Sequence, residues 1–343
     1  MAIFNEKVLI GLDIGTHSIK MVEIARAGDK LNLKTYAIAS HNLPIEGYWD
    51  GSRLRQFGQI IQDLLDQGNF AGIKTVVGVH SQDVYVTTMD FDASWQKSQI
   101  KEQIDKQAPY FLPYPPDEMR LSWSIIQTDP KILQYTGKQR VIITALPDFV
   151  IENSRNLLEH VDLDGVALEN QTISQIRCSL GKDRGNTILV DVGANITTMS
   201  ILVDGILRSS SHFPIGAQQI TTNLMSELGV DEEAAESFKK DLGLVNLYQL
   251  PIQFTDFQKN LRSEVQHYWE LNRKSAQPAN KIIFTGGAVM TAGFLEAFRG
   301  FPIPIFLANP LGMVSYAPEL SPYLVPVSNQ LSTAIGLAMR KDV

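Results

Sequence analysis

Asp13 and Asp191 each sit at the end of an apolar run, Val8 to Ile14 and Asn186 to Val192, and each stands just before a glycine turn. A strand end that holds a carboxylate beside exposed turn amides suits a nucleotide phosphate. The amides cradle the anion, and the carboxylates hold Mg²⁺ through its waters. One Asp-Xaa-Gly after one strand is an ordinary turn. A third glycine turn, Thr285-Gly286-Gly287-Ala288 after Ile282-Ile283-Phe284, makes an ordered set. Only glycine lets backbone approach an adenine or a ribose closely at such a place.

These residues need strands to position them. Val8–Ile14, Ile19–Ala25 and Leu31–Ala39, separated by Gly15-Thr16-His17-Ser18 and Gly28-Asp29, read as a β-meander. Asn186–Val192, Thr198–Val203 and Ile206–His212, with Gly193-Ala194-Asn195 and Asp204-Gly205 between them, repeat that design. Two similar lobes follow from the repeat. Apolar residues at Leu54, Phe57, Ile60, Ile61, Leu64 and Leu65 predict an amphipathic helix over 53–67. Thr75–Val79 and Val84–Thr88 read as strands. Residues 89 to about 168 form a module inside the first half. Ser94 is the expected N-cap of a helix through Ala108, ended by Pro109, with Ile100 and Ile104 inward. Strands at 120–127 and 140–145 and a helix at 148–160 complete a β-α-β-β-α-β order if 84–88 and 161–168 are the outer strands. Helices are expected at 218–227, 232–242 and 255–271, a strand running into a glycine turn over 281–288, and a closing helix at 330–339.

At 343 residues, with about 150 per domain, the chain is long enough for about two domains. A net charge of −7 gives no basic surface for nucleic acid or for an anionic membrane, which leaves proteins and small molecules as partners. Cys178 is the only cysteine, so no intrachain disulfide or cysteine zinc site can form, and a reducing cytoplasm fits. The first residues carry no signal-peptide pattern, and no run of 18 apolar residues predicts a spanning helix.

The ordered set Gly11–Lys20, Leu189–Thr198 and Ile282–Ala288 resembles the phosphate-1, phosphate-2 and adenosine motifs of the actin-like ATPase superfamily. The resemblance implies an α/β, ribonuclease H-like fold of two lobes closing on ATP and Mg²⁺. It implies lobes at 1–180 and 181–343, with the closing helix packing back at the hinge. By position it makes Asp13, Gly15, Thr16, Ser18, Lys20, Asp191, Gly193, Asn195, Thr197, Gly286 and Gly287 nucleotide-binding residues, and Asp13 and Asp191 the metal side. Glu169 stands where the superfamily often places a residue that orients the attacking water; a helix N-cap region carboxylate or an interlobe hydrogen-bonding group is the equal alternative. Glu236 and Lys239 resemble a pair that reaches ribose and adenine, and their i, i+3 spacing fits a solvated helix pair equally well. His17, bulky beside a γ-phosphate, and Asn195-Ile196 depart from the superfamily pattern.

The module at 89–168 resembles the one carried by the FtsA/PilM branch. Phe111-Leu112-Pro113, Phe213 to Ile220 and Asp231 to Lys240 resemble the PilM family of type IV pilus assembly. That resemblance implies a cytoplasmic, ATP-binding scaffold with at most slow hydrolysis. It would be held at the inner face of the inner membrane by the N-terminal peptide of a PilN-like protein, docked between the first-lobe core and the module. Tyr110, Phe111 and Leu112 are candidates for the groove wall; a loop pinned onto the module's own core is the alternative. An FtsA-like division protein, a type II secretion component and an active ATPase or sugar kinase are the competing readings.

Overall fold

The computed structural model describes residues 6–125, 136–247, 255–291 and 293–341. The first meander is β1 (Lys7–Ile14), β2 (Ser18–Ala27) and β3 (Lys30–Ser40), paired antiparallel. Helix α1 (Gly51–Gly68) follows, with Asp50 as its N-cap accepting from Arg53 N–H at 2.8 Å. Its stripe of Leu54, Phe57, Ile61 and Leu64 is buried against Ile10, Leu12 and Ile14 of β1. Removing a side chain such as Phe57 from that core costs about 3–5 kcal/mol. Strand β4 (Lys74–Val79) lies parallel to β1.

The chain then leaves this sheet. Strands β5 (Tyr85–Asp92), β6 (Met119–Ile125) and β7 (Lys138–Pro147) form a separate antiparallel sheet in the order β5-β7-β6. Helix α2 (Lys97–Phe111) covers it, with Ile100 and Ile104 buried against Val141 and Ile143 as the periodicity predicted. The start of α2 differs from the expectation. Ser94 is engaged by Asp92, whose Oδ1 accepts from both its N–H and its hydroxyl, and Gln96 becomes the N-cap. The helix also runs on through Pro109 to Phe111. The expected end of β6 at Gln127 lies outside the described residues.

Helix α3 (Asp148–His160) returns to the first lobe and packs Leu157 and Leu158 into the α1 core. Strand β8 (Asp164–Asn170) is the last element of the predicted β-α-β-β-α-β succession. It pairs parallel with β4 in the large sheet, not with the module's strands. The module's own sheet therefore closes at Pro147. The reason is non-local: β4 offers an open parallel edge beside α3, and β8 completes it.

Helix α4 (Gln171–Leu180) leads into the second meander, β9 (Thr187–Val192), β10 (Thr197–Val203) and β11 (Ile206–Phe213). Helices α5 (Gln218–Leu228), α6 (Glu232–Leu247) and α7 (Thr255–Asn272) precede β12 (Lys281–Thr285), which lies parallel to β9, and β13 (Ile305–Leu307) beyond it. Here Phe284, Phe294 and Phe298 pack ring on ring beneath Val190 and Val265. Strand β14 (Ser315–Tyr316) crosses back to pair with β3, a one-turn α8 (Ser321–Leu324) follows, and α9 (Ser332–Ala338) closes the described chain. Helix α9 buries Ala334, Ile335 and Ala338 against Val22, Ile24 and Leu33 of the first sheet. Two glycines make this crossing possible. A Cβ on Gly11 would sit 2.0 Å from the Ala334 carbonyl oxygen, and one on Gly336 would sit 2.0 Å from that of Ser174.

Candidate functional site

A cleft of about 500 Å³ lies between the turn ends of the two meanders, and all three glycine turns line it. The volume falls within the range of ordinary small-molecule sites. On the first-lobe side the β1–β2 register sets Asp13 opposite Lys20, and Lys20 Nζ lies 3.2 Å from Asp13 Oδ2. The turn between them is closed by Gly15 N–H donating to Ser18 O at 2.9 Å. A Cβ on Gly15 would meet Lys20 Nζ at 2.8 Å. His41 Nε2 donates to Gly15 O at 2.9 Å, and its Nδ1 accepts from Leu43 N–H. Burial holds the His41 imidazole below its ordinary pKa, so it braces the turn as a neutral ring.

The second-lobe side mirrors this. Asp191 sits opposite Thr198, and Gly193 N–H donates to Ile196 O at 3.0 Å to close the turn. Burial pushes the Asp191 carboxyl up, and the charge of Asp13 across the cleft adds to the effect. An amide opposes that push: Gln175 Nε2 donates to Asp191 Oδ2 at 2.7 Å and lies 3.0 Å from Thr333 Oγ1. The matching donor to Asp13 is Gln171 Nε2, 2.7 Å from its Oδ1. Gly286 then presses against this floor with φ 96° and ψ 170°, where a Cβ would meet Asp191 Oδ1 and Val192 O at 2.5 Å. Neither that backbone geometry nor that space admits another residue.

At the far end of the cleft Lys239 is buried and bonded to Glu236, and its Nζ donates to Thr221 Oγ1 at 2.8 Å. Thr221 also donates to Glu236. The pair faces the cleft beside Gly287, Met290, Val327 and Gln330. It is thus an interior polar cluster and not a solvated i, i+3 pair.

The cleft brings together Asp13, Gly15, Thr16, Ser18, Lys20, Asp191, Gly193, Glu236, Lys239, Gly286 and Gly287 from the sequence expectation. Three others fall elsewhere. Thr197 is fully buried and donates to Ile215 O at 2.7 Å; its neighbour Thr198 faces the cleft and shares a 3.1 Å hydrogen bond with His212 Nδ1. Asn195 is exposed and borders a small separate pocket behind the turn. Glu169 is turned away and lies 2.7 Å from Arg177 Nη1 and 3.4 Å from Arg340 Nη1, so it is placed to lock α4 to the chain end rather than to orient a water. Residues not singled out from sequence also line the cleft: Gln171 and Gln175, one helical turn apart on α4, and His80, whose Nε2 donates to Ile14 O at 2.8 Å. His17 lines it as well, and its carbonyl accepts from His41 N–H.

The donor set can be tested for a metal nucleotide. Among the described residues no group of three or more His, Cys, Asp or Glu side chains could hold an ion alone. Two carboxylates already engaged by Lys20, Gln171 and Gln175 fit an ion that arrives on phosphates and is met through water, as Mg²⁺ commonly is. The turn amides, the Gly286 cradle and the Glu236–Lys239 cluster fit the rest of a nucleotide.

A family profile described as type IV pilus assembly protein PilM matches residues 11–342. The cell division protein FtsA of Bacillus subtilis (strain 168) is 25% identical over 269 residues, 70% of this chain and 59% of that protein. The chain thus spans less than two thirds of that relative's length. Among solved structures, a PilM-PilN type IV pilus biogenesis complex superposes with a TM-score of 0.79 at 19% identity, over 97% of this chain and 98% of that one. MreB 5 of Spiroplasma citri bound to AMPPNP superposes with a TM-score of 0.50 at 11% identity, over 96% and 94% of the two chains. The fold is that of the actin-like ATPases.

Proposed function

The chain belongs to the type IV pilus assembly protein PilM family, and from that premise we propose that it is an actin-like scaffold that holds ATP with Mg²⁺ in the interlobe cleft and docks the N-terminal peptide of a PilN-like inner-membrane protein. The observation that carries the nucleotide half is the convergence of three glycine turns and both strand-end carboxylates on one cleft. Asp13, Lys20 and Asp191 serve the phosphate and metal end, and Gly286, Gly287, Glu236 and Lys239 the nucleoside end. When bound, the metal supplies charge neutralisation of the phosphates. The protein orients the carboxylates through Gln171 and Gln175. Glu169 is tied to two guanidiniums, which favours a ligand that sets lobe closure over one consumed rapidly.

The solved relative is a complex with PilN, and the position of segment 110–114 supports the same partner class here. Phe111 stacks on Tyr85 of β5 at 5.8 Å, while Tyr114 meets Phe149 of α3 edge-on at 6.2 Å. The segment therefore bridges the module and the first lobe. Beside it Tyr110 is 88% exposed, and Leu112 is partly exposed. We read lobes 1–180 and 181–343 as the closing bodies, with the module carrying the groove. No helix among the described residues is long and apolar enough to cross a membrane, so in this reading the partner's tail supplies the membrane attachment.

Calorimetric titration tests both halves. Mg-ATP should bind the native protein and fail to bind Asp13→Ala, and a hydrophobic PilN-like peptide should bind the native protein and weaken on Phe111→Ala with the fold intact. Tight Mg-ATP binding by Asp13→Ala, or unchanged peptide affinity in Phe111→Ala, would remove the corresponding half.

A further inference from the structure

Glu232 is the first residue of α6, and its two carboxylate oxygens face opposite lobes. Gln218 Nε2, at the start of α5, donates to Oε1 at 2.7 Å, and Asn42 Nδ2, just past the end of β3, donates to Oε2 at 3.4 Å. Each donor is the neighbour of a group that holds one phosphate turn. Asn42 follows His41, whose ring holds Gly15 O and whose N–H holds His17 O at 2.8 Å. Gln218 donates its own N–H to Ala194 O at 2.8 Å, next to Ala217 N–H on Gly193 O at 3.0 Å, so it is part of the phosphate-2 turn. One carboxylate therefore bridges the supports of the two turns, one from each lobe.

We propose that Glu232 is a latch across the nucleotide cleft: it holds the two phosphate turns at their closed spacing and sets the rate at which bound nucleotide leaves. The inference rests on the nucleotide reading above and adds its gate. Asn42 is exposed and Glu232 partly so. A contact of that kind is charge-assisted yet open to water, strong enough to bias an opening and weak enough to break in each one. The lobes are also joined through α4 and α9, where Gly11 and Gly336 permit close backbone approach, and through β14 paired with β3. A rotation of the lobes about those joints would part Asn42 from Glu232, so the contact is one that opening has to break.

The direction of the hydrogen bond supplies the test. Asn42→Asp sets a second carboxylate against Glu232 and should open the cleft. Glu232→Gln on that background rebuilds an amide–carboxylate pair with the roles exchanged, and leaves an amide oxygen for Gln218. Stopped-flow release of a fluorescent ATP analogue with Mg²⁺ reads the outcome. Asn42→Asp and Glu232→Ala are each expected to speed release about fivefold, and Asn42→Asp/Glu232→Gln to return within about twofold of native, with melting temperatures preserved across the set. Release unchanged in Asn42→Asp, or no recovery in the exchanged pair, overturns the latch while leaving nucleotide binding standing. Failure of the native protein to bind the analogue at millimolar concentration overturns the nucleotide reading, and the latch with it.

Discussion

Gly286→Ala and Gly287→Ala differ by one residue and should differ sharply in effect. Gly286 has φ 96° and ψ 170°, a region that is nearly glycine-only and costs about 1–3 kcal/mol for another residue. Its new methyl would also lie 2.5 Å from Asp191 Oδ1 and from the Val192 carbonyl oxygen. Ordinary contact begins near 3.4 Å, so β9 and β12 would have to part by about 1 Å, an overpacking cost of about 1–3 kcal/mol. Together these predict a loss of roughly 2–6 kcal/mol and a fall in melting temperature of about 3–8 °C for a chain of 343 residues. At Gly287 the new methyl would rest on the Gln330 side chain, nearest at Cγ at 3.6 Å, an ordinary contact, so that variant should melt within about 1 °C of native. Gly287 lines the cleft, however, so its variant should lose about tenfold in Mg-ATP affinity while remaining folded. Differential scanning calorimetry and nucleotide titration measure the two effects. If both variants melt together, the close-approach reasoning at Gly286 is wrong. If Gly287→Ala binds nucleotide as native does, this turn does not approach the nucleoside.

Lys239→Met removes a buried ammonium bonded to Glu236 and Thr221 and should cost about 2–3 kcal/mol, less than for a fully buried pair because Glu236 keeps some solvent contact. Urea unfolding measures the cost, and nucleotide titration should show weaker binding beyond it. Asp191→Asn tests the raised carboxyl. A raised acid binds its proton more tightly in the folded chain, so its stabilising contribution is complete below the unfolded value of about 3.9 and is lost as pH rises through the folded value. The asparagine variant, with no charge to bury, should therefore melt above the native apo protein at pH 7, and the gap should close toward pH 4. A gap that is constant or reversed across that range contradicts the burial argument.

Both meanders, α1 and the three glycine turns were legible because each is written locally. Alternation and glycine placement state strand–turn–strand within a dozen residues, and Leu54, Phe57, Ile61 and Leu64 state a buried helical stripe within three turns. The placement of β8 depends on a partner far along the chain, and the start of α2 on a competing side chain two residues away. Strand β8 can extend either sheet on its own pattern, and the choice was made by the free edge of β4, some 85 residues earlier and beyond the reach of local periodicity. Ser94 was a good N-cap by type, but the preceding Asp92 captured its hydroxyl.

Thr197 and Glu169 lie off the cleft for one physical reason, the phase of a side chain about its element. Thr197 and Thr198 are neighbours on β10, so one must face the core and the other the cleft, and composition cannot say which. The register with β9 decides it by placing Thr198 opposite Asp191. Glu169 and Gln171 show the same ambiguity where a strand becomes a helix. Glu169, next to the last residue of β8, turns toward Arg177, whereas Gln171, the first residue of α4, reaches Asp13. A signal for this was present: Gln171 and Gln175 stand i, i+4 at the start of a helix joining two lobes that each end a strand in Asp. Two amides on one helical face, one turn apart, are spaced to serve two carboxylates, one from each lobe. A carboxylate held at the floor of a cleft needs a donor, and the two glutamines are the donors that the sequence supplies at that spacing.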